Sequence, residues 1–124
     1  MNPLRRQLTD LDMEKFLKVI QLIRELEPVE AKVSELPIQT LAVFLYVASH
    51  NGCHKKAMED DLGMNKAAGS RNTDWLARLH RLKRPGLNLI TKEIDPSDKR
   101  MTVLKLTRKG KDLVFKINRI LYNN

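Results

Sequence analysis

Apolar residues recur at helical spacing along most of the chain and predict five helices. In the first helix, from Asp10 to Leu26, a stripe at three- and four-residue spacing forms one apolar face. Pro28 is expected to end this helix. The second, Ile38–Ser49, follows Pro37 and is apolar on nearly every side, so we expect it to be central and buried.

Three more helices are delimited by capping residues. A short helix at about Lys55–Leu62 is closed by Gly63, which suits a left-handed cap. Asn65 is a good N-cap for a fourth helix running to about Leu82. Thr107 can cap a last helix that ends near Leu121.

The fourth helix is amphipathic, with one face to bury and one to present. Its predicted apolar stripe consists of Ala68, Trp75, Leu76, Leu79 and Leu82. Its opposite face is predicted to carry Lys66, Ser70, Thr73, Ala77 and Arg81. Together with the preceding short helix and glycine, it has the proportions of a helix-turn-helix, whose second helix enters the major groove of DNA.

A β-hairpin follows the break at Pro85-Gly86. Residues 87–94 and 101–107 are rich in Leu, Ile, Val and Thr and predict two strands. Pro96 fits the second position of a type I turn in the loop 95–100 between them. The predicted fold is therefore mainly α with a small β-hairpin wing, a winged helix-turn-helix. We expect an N-terminal arm and helix at residues 1–36 (a possible dimerisation element), a core at 37–107 and a C-terminal helix at 108–124.

Charge is concentrated in the second part of the chain. The net charge is +8; residues 1–36 carry −1, with six Lys or Arg against seven Asp or Glu, and residues 37–124 carry +9. A polyanionic partner is therefore expected, and double-stranded DNA suits the predicted fold. No apolar run approaches the length of a membrane helix, and we expect no membrane association.

Catalytic and metal chemistry find little support in the sequence. Cys53 is the sole cysteine, which excludes an internal disulfide and suits a reducing compartment. His50 and His54 flank it at a turn, but no second cysteine or carboxylate pair has ligand spacing. Neither a phosphate-binding glycine loop nor paired catalytic carboxylates are present. We expect a binding protein without cofactor or metal, not an enzyme.

The predicted DNA contacts fall into three groups. Arg71 is expected to read guanine or grip phosphate, and Arg100 at the hairpin tip to enter the minor groove, oriented by Asp98. Phosphate contacts from Lys83, Arg84, Arg108 and Lys109 are expected to supply most of the affinity. The full set of predicted DNA-binding residues is Asn65, Lys66, Ala67, Ser70, Arg71, Asp74, Arg81, Lys83, Arg84, Asp98, Lys99, Arg100, Arg108 and Lys109.

The hairpin carries a motif that resembles the MarR family of winged-helix regulators. The motif is Asp-Pro-Ser-Asp-Lys-Arg at 95–100, followed by Leu106, Thr107 and Gly110 in a Leu-Thr-x-x-Gly pattern. The resemblance extends over about residues 37–120. It implies that Ser70 and Arg71 contact the major groove and Arg100 the minor groove, with Asp98 holding the arginine. The sequence departs from the family pattern at Gly69, at Asn72 and in an apparent insertion at 81–86.

The resemblance also implies a homodimer joined through the first and last helices, with an unidentified small-molecule effector. We predict a sequence-specific transcriptional regulator on a palindromic site with half-sites about 10 bp apart. It would act in the cytoplasm, at a prokaryotic nucleoid or in a cell carrying a phage or plasmid. Two alternatives stay open: a winged-helix adaptor that docks on an acidic protein surface, and an architectural protein that binds DNA without a preferred site.

Overall fold

The computed structural model describes residues 10–26, 36–77 and 86–122. Within them the chain forms five helices and a three-stranded antiparallel sheet, which confirms the predicted mainly helical class with a hairpin wing. In chain order the elements are α1 (Asp10–Arg24), α2 (Ile38–Ser49), β1 (Cys53–His54), α3 (Lys55–Leu62), α4 (Lys66–Leu76), β2 (Ile90–Asp95), β3 (Asp98–Leu106) and α5 (Arg108–Tyr122).

The bounds of α2 and α3 agree with the prediction because clear stop signals follow each helix. Gly52 and Gly63 both adopt positive φ, as the closing turns require. α1 ends at Arg24, slightly before the predicted Leu26, and Pro28 lies outside the described residues. The last helix begins after Thr107, whose hydroxyl accepts a hydrogen bond from the Gly110 N–H at 3.0 Å, as predicted.

The prediction for α4 is wrong in length: the helix ends at Leu76, not near Leu82. Ala77 is extended, with ψ of 175°, and cannot continue the helix. The carbonyls of the last residues instead accept backbone hydrogen bonds from the segment before β2: Leu87 N to Trp75 O at 2.9 Å and Leu89 N to Leu76 O at 2.7 Å. The predicted positions Leu79, Arg81 and Leu82 lie outside the described residues.

The wing differs from the prediction at both ends. β2 begins at Ile90 because Asn88 has a φ of +55°, which interrupts the extended segment from Leu87. The turn is Pro96-Ser97 alone, so Asp98–Arg100 belong to β3 and not to a six-residue loop. The two-residue strand β1, which no sequence pattern predicted, pairs with β3 at Leu104 and Val103 and gives the sheet order β1-β3-β2.

A single apolar core joins the described helices to the sheet. α2 lies at its centre, as predicted, and buries Val43, Phe44 and Val47. The remaining core residues come from every helix and from the wing: Ile23, Met58, Leu76, Leu87, Leu89, Ile90, Leu104 and Leu113. The helix-turn-helix and the base of the wing therefore rest on the same support.

Candidate nucleic-acid interface

The turn between α3 and α4 is built by local hydrogen bonds. Gly63 takes a φ of +67° and closes α3, and Met64 N donates to Glu59 O at 2.8 Å. Asn65 then caps α4 as predicted, accepting a hydrogen bond from Ala68 N at 2.8 Å through its side-chain oxygen. The capping contact fixes where α4 starts and therefore which side chains its first turns present.

The outward face of α4 carries the side chains predicted to meet DNA. Asn65, Lys66, Ala67 and Arg71 are exposed, and Ser70 is half-buried. Arg71 forms no ion pair with the described part of the chain, so its guanidinium is available to an anionic or base partner.

The inward face of α4 buries two polar residues beside Leu76, and one of them, Thr73, was wrongly predicted to be exposed. Thr73 is fully buried and its hydroxyl donates to Gly69 O at 2.8 Å. Asn72, also buried, donates to Ala68 O at 2.8 Å and accepts from the Thr40 hydroxyl of α2 at 2.8 Å. These contacts satisfy the buried groups and tie α4 to α2. They explain how Asn72 is tolerated where the resemblance implies an apolar residue.

Gly69 permits a close approach of the Glu59 side chain of α3. A Cβ at this position would lie 2.0 Å from Glu59 Oε2 and 2.6 Å from Glu59 Cγ. Glu59 is held there by a buried ion pair with Lys55, whose ammonium also lies 3.5 Å from Lys66 O. The glycine thus faces the protein interior, where it allows the two helices to pack around a buried charge pair.

Asp74 lies in the last turn of α4 and faces the wing. Its carboxylate oxygen Oδ1 accepts a hydrogen bond from Lys92 Nζ of β2 at 2.7 Å, and only 16% of its side chain is exposed. The structure therefore places this predicted DNA contact in an ion pair within the protein.

At the tip of the wing, Arg100 and Asp98 make the contact predicted from their spacing. Arg100 Nε and Nη2 donate to the two carboxylate oxygens of Asp98 at 3.1 and 3.2 Å. The arginine side chain is 90% exposed, and Lys99 beside it is also exposed. Hydrogen bonds from Arg100 lower the pKa of the Asp98 carboxyl. The pair holds a cation outward on a projecting turn.

A second carboxylate anchors the turn to the helix-turn-helix. Asp95 Oδ2 lies 2.7 Å from His54 Nε2, at the start of α3, and Asp95 Oδ1 accepts from the Ser97 hydroxyl at 2.7 Å. These hydrogen bonds, the one from His54 first, hold the pKa of the Asp95 carboxyl well below its usual range. The position of the wing tip is therefore coupled to β1 through the hydrogen bond between Asp95 and His54.

The cations at the start of α5 have different surroundings. Arg108 and Lys109 are both exposed, but Lys109 Nζ also donates to the main-chain carbonyl of Leu87 at 2.7 Å. This contact gives Lys109 a structural role that the sequence did not indicate. The other predicted phosphate-binding cluster, Arg81, Lys83 and Arg84, lies outside the described residues.

One cleft of about 410 Å³ joins the start of α4 to the first residues of β3. Asn65 and Lys66 border it on one side and Arg100 on the other. Lys56 and Asp60 of α3 also line it, and neither was among the predicted site residues. Lys66 and Arg100 thus present positive charge to the same space, although they are 34 positions apart in the sequence.

The other chemical candidates remain apart from this cleft. Cys53 is half-buried, and its burial raises the pKa of the thiol, which disfavours the reactive thiolate. His50 stacks on Tyr46, with ring centroids 4.2 Å apart. Within residues 10–26, 36–77 and 86–122, no group of three His, Cys, Asp or Glu side chains is arranged to hold a metal ion, and no helix is long and apolar enough to cross a membrane.

The arrangement of two helices, a projecting hairpin and exposed cations around one cleft defines a winged helix-turn-helix. No protein-family model and no curated protein matches the chain. Solved structures do match it. A MarR transcriptional regulator from Methanosarcina mazei Go1 is 16% identical, with a TM-score of 0.62 over 89% of this chain and 68% of that one.

Two further similar structures contain DNA. The transcriptional repressor CouR, bound to a 23-mer duplex, is 18% identical, with a TM-score of 0.58 over 90% of this chain and 67% of its own. A mutant MarR from E. coli, complexed with operator DNA, is 17% identical, with a TM-score of 0.57 over 89% and 70%. At these identities the likeness establishes the fold: the chain has the winged-helix fold of MarR regulators.

Proposed function

We propose that the chain is a MarR-like transcriptional regulator that binds double-stranded DNA sequence-specifically. The observation that carries the proposal is the cleft, to which Lys66 at the start of α4 and Arg100 of the wing both present positive charge. In this interpretation α4 enters the major groove and the wing follows the adjacent minor groove. Two of the structurally similar regulators, CouR and the mutant MarR, are bound to DNA, which supports a DNA-binding function.

The proposed contacts divide by role. Arg71 and Ser70 discriminate bases, Lys66 and the backbone at the start of α4 bind phosphate, and Arg100 responds to groove width. Arg108 and Lys109 add phosphate affinity from the start of α5. Lys83 and Arg84, which follow α4 in the sequence, are proposed to do the same. Under this proposal the protein is a binding protein of the prokaryotic cytoplasm, not an enzyme.

The proposal includes a homodimer formed through α1 and α5, which pack together in the protomer. Of the large apolar side chains on α1, several are about half exposed: Leu11, Met13, Phe16 and Leu17. Burying such a surface against a second copy would remove it from water. The N-terminal part, 1–36, and the C-terminal helix, 108–124, then serve assembly, while 37–107 serves DNA. An effector remains part of the proposal without an assigned site.

Selection from a randomised duplex pool, at near-physiological salt, tests the proposal. Enrichment of an inverted repeat with half-sites about 10 bp apart is the expected result. Binding of all duplexes alike would favour an architectural protein. A folded protein that binds no duplex would contradict DNA binding altogether and direct attention to an acidic protein partner.

A further inference from the structure

The base of the wing is tied to α4 by a charge pair with no assigned function. Lys92 Nζ lies 2.7 Å from Asp74 Oδ1, and the two side chains are 26% and 16% exposed. An ion pair at this depth is less screened by salt than a surface pair. It bridges α4 and the wing, the two elements that the proposed function places in adjacent grooves of DNA.

The surroundings of Asp74 disfavour a direct role in reading bases. It follows the N-cap Asn65 by nine residues and lies in the last turn of α4, whereas base edges are met by the first turns. Its carboxylate is held against Lys92 of β2 and only 16% of the side chain is exposed, which leaves little of it to meet the amino group of a cytosine. It would also bring a negative charge toward the phosphates.

We propose that Asp74 is a positioning residue: its ion pair with Lys92 fixes the angle between α4 and the wing, so that both fit one duplex. This inference rests on the proposed function. Backbone hydrogen bonds from Leu87 and Leu89 already join the end of α4 to the segment that leads into β2. The ion pair adds a side-chain contact farther along β2, between α4 and the strand that carries the wing.

The affinities of two variants, Asp74→Asn and Lys92→Met, are measured for the selected duplex and for a scrambled one. The comparison distinguishes a positioning role of the ion pair from an effect of net charge. If only net charge mattered, Asp74→Asn would bind both duplexes more tightly and Lys92→Met would bind both more weakly. If Asp74 read a base, Asp74→Asn would change the preference at one position and Lys92→Met would not. The positioning role predicts that both variants lose preference for the selected duplex by about tenfold, a coupling of about 1.4 kcal/mol.

The double variant and a matched control sharpen the test. The reversed pair, Asp74→Lys with Lys92→Asp, should recover most of the preference. The control pair joins Glu93 of β2 to Lys105 of β3; the charged atoms are 3.8 Å apart and both side chains are about half exposed. Lys105→Met and Glu93→Gln should leave the ratio of the two affinities unchanged.

A measurement without DNA distinguishes failure of this inference from failure of the proposed function. Spin labels at Ala67→Cys and Lys99→Cys, in a Cys53→Ser background, report the distance between α4 and the wing. We expect a narrow distance distribution with Asp74 present and a broader one in Asp74→Asn and Lys92→Met. Unchanged distributions, or unchanged affinity ratios in a protein that does prefer a site, would overturn the positioning role. A wild-type protein without a preferred site would overturn the proposed function alone.

Discussion

The helix α4 and the wing face the same cleft, yet the polar contacts that hold α4 are buried and those that hold the wing tip are exposed to solvent. Those under α4 are buried: Thr40 with Asn72, and Lys55 with Glu59, whose side chains are 11% and 10% exposed. Those at the wing tip reach solvent, where the side chains of Arg100 and His54 are 90% and 42% exposed. Water and salt weaken the second kind far more than the first. We therefore expect a rigid α4 and a wing whose position responds to pH and salt.

The largest expected effect concerns the contact between α4 and α3. Gly69→Ala should lower the free energy of unfolding by about 3 kcal/mol, because the new methyl group displaces the Glu59 carboxylate from its buried pair. Chemical denaturation measures the change. In a Lys55→Met/Glu59→Ala background the same substitution should raise stability by about 1 kcal/mol, through helix propensity alone. If Gly69→Ala changed the free energy of unfolding in the same direction in both backgrounds, Glu59 would not be the reason that glycine is favoured at this position.

The next effect is on recognition by the outward face of α4. Arg71→Ala should lose about 2 kcal/mol of binding free energy on the selected duplex and relax the preference at one base pair. Arg100→Ala should lose less and alter the preference for groove width. Competition binding with base-substituted duplexes measures both, with Lys105→Met as a charge-matched control on the wing. Equal losses on preferred and scrambled duplexes would remove Arg71 from base reading.

A smaller effect is expected beneath α4. Thr40→Val should cost about 1 kcal/mol of stability, because Asn72 Oδ1 loses its buried donor. Thr40→Val with Asn72→Leu should recover this loss, since neither polar group then remains buried. Thermal and denaturant unfolding of the three variants provides the comparison. If the double variant were less stable than Thr40→Val, the apolar packing of the two substituted side chains would not compensate for the stability that the hydrogen bond contributes.

The smallest effect is confined to the wing and depends on pH. Because the folded pKa of Asp95 is depressed, its contacts stabilise the wing above the unfolded pKa of about 3.9 and are lost as the pH falls through the folded value. NMR titration below pH 5 should shift the amide signals of Ser97 and Arg100 while those of Asn72 stay in place. His54→Ala should move the Asp95 titration upward. An Asp95 carboxyl that titrates normally in the wild type would exclude the His54 anchor.

The sequence was informative where structure depends on local signals. Gly52, Gly63 and Asn65 define turns and caps through their own backbone or side chain, so the limits of α2 and α3 and the start of α4 were predictable. The Asp98–Arg100 contact was also predictable, because the two residues are neighbours on one hairpin.

Long-range contacts decided the rest. The end of α4 is determined by hydrogen bonds from residues 87–89. The prediction that Thr73 is exposed was wrong because a polar residue with a partner inside the protein cannot be told from a surface residue by its sequence. Lys92 and Asp74 are 18 positions apart, with no spacing pattern to link them. The roles of Lys66, Arg71 and Arg100 on DNA stay predictions.

Chemical protection of the selected duplex by the wild-type protein tests the central claim most directly, because it maps both grooves at once. We predict that the wild-type protein protects guanine N7 in the major groove of each half-site and deoxyribose in the flanking minor groove. Arg100→Ala should remove the minor-groove protection and leave the protection of guanine N7 in place. Uniform backbone protection without any guanine N7 signal, unchanged in Arg100→Ala, would contradict the account.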